Sequence, residues 1–152
     1  MAGNFGSDAA EQVLNARAEK ARLIAWELRK AEILKADGPL FFQAMADELK
    51  SCVDAFNSGT GLTGDAALDY ECSNGAIVLG KKHDPILIRR ATYRPYLNQV
   101  VVRTEIFRGM QKSSTERIWR FDKEPGRDLL LNGETFVECA HGLFDGVADL
   151  FA

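Results

Sequence analysis

Apolar residues recur every three or four positions as far as Phe56 and, across much of residues 68–131, every second position. The first period belongs to a helix and the second to a half-buried strand, so the chain must change from helix to sheet near Gly64. That confines it to architectures in which helices cover a separately built sheet.

Residues 8–36 contain neither Gly nor Pro and are rich in Ala, Leu, Glu, Lys and Arg, all good helix formers. Ser7 or Asp8 can cap the first N–H groups. Glu19 with Arg22, Glu27 with Lys30 and Glu32 with Lys35 are spaced to pair along one surface. Leu14, Ala21 and Leu28 recur every seven residues, with Ile24 and Ala31 between them and Arg17 and Lys35 as interruptions. A helix of this length projects beyond a small core or packs on another copy of itself. Leu14, Ala21, Ile24, Leu28 and Ala31 are therefore the candidate partner-binding residues, with Trp26 as a candidate anchor.

Gly38-Pro39 is expected to end that helix, and Pro39 suits the first turn of a second one. There Phe42, Met45, Leu49, Cys52, Val53 and Phe56 share one face. Asn57-Ser58-Gly59 reads as its stop. Leu68, Tyr70 and Cys72 then alternate with Asp69 and Glu71, and Asn74-Gly75 signals a tight hairpin. Strands are expected at 68–72, 76–80, 86–93, 100–108, 116–121 and 127–131, with residues 109–115 as a polar loop. Residues 134–151 read as a third helix whose apolar face is Phe136, Ala140, Leu143, Val147 and Phe151. Gly142 and Gly146 on it are expected to admit a close neighbour such as Trp119 or Phe121. The expected fold is α+β: two N-terminal helices, an antiparallel sheet of about six strands, and a C-terminal helix packed on the sheet. Residues 1–7 are expected to form a disordered tail and residues 8–152 a single domain.

Three cysteines, Cys52, Cys72 and Cys139, are an odd number without metal-ligand spacing. Reduced thiols in a cytoplasmic protein follow as the expectation. The N-terminus lacks a basic segment followed by an apolar one, and no apolar run approaches the ~20 residues of a membrane span, so no membrane partner is expected.

Three motifs resemble chemistry and fail on context. Gly59-Thr60-Gly61-Leu62-Thr63-Gly64 matches the dinucleotide glycine pattern, but it follows a helix and precedes a strand, the reverse of what pyrophosphate binding needs. Residues 75–81 resemble a phosphate-binding loop, yet Lys82 stands where Ser or Thr must hold magnesium. Glu138 and His141 have the Glu-x-x-His spacing of di-iron bundles, without the second such pair. A Cys–His pair would require His83 or His141 to meet one of the cysteines through the fold. The expectation is therefore no catalytic residue, no cofactor and no metal.

Charge is segregated. Residues 81–127 hold twelve Lys/Arg against five Asp/Glu, in a chain of net charge −3. Arg89, Arg94, Arg103, Arg117 and Arg120, interleaved with Tyr93, Tyr96, Phe107 and Trp119, are the candidate anion-binding residues for single-stranded nucleic acid. The competing reading is a solvated sheet face on which Asp69, Glu71, Glu105 and Glu116 offset the arginines. The pI of 5.4 favours the latter. The leading expectation is a non-enzymatic binding or assembly protein acting through its first helix as a homo-oligomer or with a protein partner. The alternatives are a small-molecule or enzymatic cleft between sheet and helix, and nucleic-acid binding through the basic sheet.

Overall fold

A computed structural model describes residues 4–151. The expected α+β class is what the chain adopts: a long N-terminal helix, a six-stranded antiparallel sheet and a C-terminal helix. Among the described residues the α-helices number two, not three. Residues 5 to 60 form one α-helix, α1 (Phe5–Thr60), that runs through Gly38-Pro39. Of the expected tail, residues 1–3 lie outside the described residues, and Phe5 already belongs to the helix.

The expected break fails for an energetic reason. Pro39 removes one backbone donor and costs about 3 kcal/mol inside a helix. Leu34, Phe41, Phe42 and Met45 are buried on either side of it. Each such side chain returns roughly 1.5–3 kcal/mol when fully buried, and together they outweigh the proline. Gly38 is buried because Tyr93 stands directly against it; a Cβ there would overlap the Tyr93 hydroxyl. Tyr93 also stacks on Phe42 with ring centroids 5.5 Å apart. The helix ends at Thr60, where Gly61 takes the left-handed conformation with φ of 71°.

The chain divides into two compact units, Met1–Ile33 and Leu34–Ala152. The first is helix throughout its described length apart from Asn4. The second holds the rest of α1 and the sheet β1 (Asp69–Ser73), β2 (Ala76–Lys81), β3 (Ile86–Arg94), β4 (Gln99–Arg108), β5 (Gln111–Asp122) and β6 (Leu130–Leu131), ordered as in sequence. Asn74 and Gly75 both have positive φ and close the β1–β2 hairpin as a type I′ turn. The expected loop at 109–115 is mostly strand. Gly109, with φ of 62°, and Met110 make a two-residue turn, and β5 pairs with β4 from Gln111 onward.

Register divides the sheet into two faces, because paired residues point the same way. Ile77, Ala91 and Val102 make one inward row, and Tyr93, Val100 and Trp119 another. These rows pack with Phe41, Phe42, Met45 and Leu49 of α1 in the main core. The C-terminal helix is α2 (Phe136–Phe144), and its Cys139, Ala140 and Leu143 join the same core. Thr135 and Glu138 form a capping box at its start. The helix expected to reach residue 151 stops at Phe144, since Gly146 has φ of 76° and a 3-10 turn, Ala148–Phe151, follows.

Candidate functional site

The N-terminal unit presents the expected apolar stripe. Leu14, Ile24 and Leu28 are 62%, 56% and 66% exposed, and Ala21 and Ala31 beside them are exposed as well. At 100° per residue the stripe Leu14–Ala21–Leu28 drifts only about 20° per heptad. Trp26 is half-buried and sits about 120° round the helix from Leu14, flanking the stripe. Charge is polarised along this unit: residues 5–16 carry two acids and no base, and residues 17–33 carry five bases and three acids.

The five arginines do not share a face. Arg94, Arg103 and Arg120 lie on the outer face with Arg90, where Arg90 pairs with Arg103 and Arg103 with Glu116. Arg89 and Arg117 lie on the inner face, in the rows of Leu79 and Ile77. Arg103 is already engaged by Glu105 at 3.1 Å, and Glu105 also takes Lys112 at 3.4 Å.

Arg89 is committed to the fold. Its Nε donates to Thr104 Oγ1 at 3.0 Å, and one Nη donates to the carbonyls of Asp145, at 2.9 Å, and Leu143. It thus satisfies carbonyls at the end of α2, where a cation opposes the helix dipole. Burial lowers its pKa; the Asp145 charge opposes that shift and the Arg117 charge adds to it. Beside it lies a cleft of about 320 Å³ between α2 and strands β3 to β5, lined by Thr104, Thr115, Arg117, Trp119 and Asp145 among others. The Arg117 side chain makes no hydrogen bond or ion pair among the described residues.

A third grouping joins α1 to α2 within the C-terminal unit. Glu48 and Cys52 are four residues apart on α1 and so face the same way. His141 of α2 comes to meet them: its Nε2 is 3.1 Å from Glu48 Oε1. One ligand atom of each of the three residues lies within 4.8 Å of the others. Burial, and then the Glu48 charge, push the Cys52 thiol up, so nothing here activates it as a nucleophile. Cys139 is pushed up to about 12, first by burial, and its thiol donates to Leu131 O at 3.2 Å.

Sequence reasoning singled out His141 but paired it with Glu138. Glu138 instead accepts from the Thr135 N–H at 3.2 Å and is spent on the helix cap. In the sequence Cys52 shares the apolar face of its helix and is one of three cysteines that a Cys–His pair could use, and Glu48 carries no signal. The available signal was the i, i+4 pair of a carboxylate and a thiol on one helix, which acquires meaning only once a histidine from elsewhere arrives. Among the described residues, no helix is long and apolar enough to cross a membrane. Comparison with protein-family models, curated proteins and solved structures finds no match.

Proposed function

We propose that this is an assembly protein whose N-terminal helix pairs antiparallel with the same helix of a second copy. The supporting observation is the exposed stripe of Leu14, Ile24 and Leu28 on a helix section about 44 Å long. The apolar seam from Leu14 to Ala31 covers between two and three heptads, with the spacing that packs helices in a two-stranded coiled coil. The stripe reads Leu–Ala–Leu in both directions about Ala21, so an antiparallel copy sets Leu14 on Leu28 and Ala21 on itself. Charge favours the same orientation. Asp8 and Glu11 of one copy lie toward Arg29 and Lys30 of the other, whereas a parallel pair sets like against like. The segment is neutral overall, five bases against five acids, which favours a self-complementary partner over a strongly charged one.

The test is cysteine cross-linking of the full chain with Cys72, an exposed thiol, replaced by Ser. Under oxidation, Leu14→Cys chains mixed with Leu28→Cys chains should yield a covalent heterodimer, and Ala21→Cys should link to itself. Self-linking of Leu14→Cys alone means a parallel pair. A monomer by sedimentation at micromolar concentration rejects the assembly.

The cleft beside α2 supports a second reading, a site for a small anion, because Arg117 lines it without a partner. Stabilisation by phosphate or a dicarboxylate that Arg117→Gln abolishes would favour it. The nucleic-acid reading is weakened by the division of the arginines between two faces and by Glu105 and Glu116 among those on the outer one.

A further inference from the structure

We propose that Glu48, Cys52 and His141 form a zinc site with three protein ligands and a fourth position open to water. This is independent of helix pairing and concerns a different unit of the chain.

The donor set is the first argument. One thiolate, one imidazole and one carboxylate are the mixed sulfur, nitrogen and oxygen ligands that zinc accepts, whereas magnesium and calcium want oxygen alone. Spacing is the second. Tetrahedral zinc, with bonds of about 2.0–2.3 Å, sets neighbouring ligand atoms roughly 3.3–3.6 Å apart. The Glu48 and His141 atoms stand 3.1 Å apart, and the widest separation in the trio is within 4.8 Å. Small torsional changes close that difference, and both ligand side chains have room for them, since Glu48 and His141 are 33% and 57% exposed.

Selection among the cysteines is the third argument. Cys139 is buried and hydrogen-bonded to Leu131, and Cys72 is exposed on β1. Among the described residues, Cys52 alone has a histidine and a carboxylate ligand atom within 4.8 Å. The raised thiol pKa in the free protein, owed first to burial and then to the Glu48 charge, is no obstacle, because zinc displaces the thiol proton to solvent. The bound ion cross-links α1 to α2.

The experiment titrates the untagged, metal-free full chain with zinc chloride and, in parallel, with cobalt chloride. The expected result is one equivalent bound, a thiolate-to-cobalt charge-transfer band with tetrahedral visible bands, and a rise in Tm with zinc. Cys52→Ser should abolish the charge-transfer band, and Cys72→Ser should leave it intact. His141→Gln should weaken zinc binding roughly tenfold or more, since even an outer-shell partner is worth that much. His141 is an exposed residue, so this variant tests the site without disturbing the core. No saturable binding, a band that survives Cys52→Ser, or an affinity untouched by His141→Gln would each overturn the assignment.

Discussion

Among the described glycines, Gly38 has the closest side-chain neighbour. Alanine is ordinarily preferred to glycine in a helix by about 1 kcal/mol. Here a Cβ would collide with the Tyr93 hydroxyl, itself held by stacking on Phe42 and an edge contact to Phe121. We expect Gly38→Ala to lower stability by about 1–3 kcal/mol, the usual cost of overpacking. With Tyr93→Phe the next nearest ring atom is 3.4 Å away, so the same substitution should become neutral or stabilising. A thermal-denaturation double-mutant cycle checks this, and equal costs in both backgrounds would mean that the glycine serves something else. Burial raises the pKa of this Tyr93 hydroxyl, in keeping with a phenol that stays protonated against the helix. None of this was legible in the sequence, where Gly38-Pro39 reads as a helix stop because both residues are poor helix formers. The contact that overrides propensity comes from a residue 55 positions later.

At the scale of elements, periodicity was a better guide than punctuation. The switch from a helical to a strand period located the sheet, and Asn74-Gly75 marked a turn whose two positive φ angles bear it out. The first half of β5 was missed because Gln111, Lys112, Ser113, Ser114 and Thr115 lack an apolar alternation, and all five are exposed. They pair through their backbones with Thr104–Arg108, which composition does not report. The end of α2 is not legible because Gly146 continues the helical spacing in the sequence, whereas in the fold the helix stops at Phe144 and Gly146 takes a positive φ. Gly142 differs: its nearest neighbour, Trp119, would stand 3.9 Å from an added Cβ, an ordinary contact rather than the close approach expected. Gly142→Ala should therefore stabilise by roughly 0.5–1 kcal/mol. Thr135→Ala should cost about 1 kcal/mol by removing the capping hydroxyl. Chemical denaturation of both variants tests the pair of signs. The candidate zinc ligands were illegible for a related reason, since only the packing of α2 on α1 brings His141 to Glu48 and Cys52.

At the scale of the whole molecule, the proposed helix pairing makes a prediction about salt. Surface charges are screened over about 8–10 Å at moderate ionic strength. An antiparallel pair held partly by Asp8 and Glu11 against Arg29 and Lys30 should dissociate more readily as salt rises, with its Kd increasing while the apolar stripe preserves some association. Sedimentation equilibrium across a salt series measures it, and tighter pairing at high salt would argue for like charges in contact. A second route to self-association is open elsewhere. β5 pairs with β6 through Phe121 and Asp122, and the Arg120 carbonyl accepts from Asn132 N–H, so among the described residues the backbone from Gln111 to Trp119 pairs with β4 alone and forms a margin of the sheet. Such a margin can template the addition of strands from other molecules and begin aggregation. Lys112, Glu116 and Arg117 stand along it. Their charges oppose that growth, which gives part of the basic segment a purpose that requires no ligand: keeping an unfinished sheet from being finished by a neighbour.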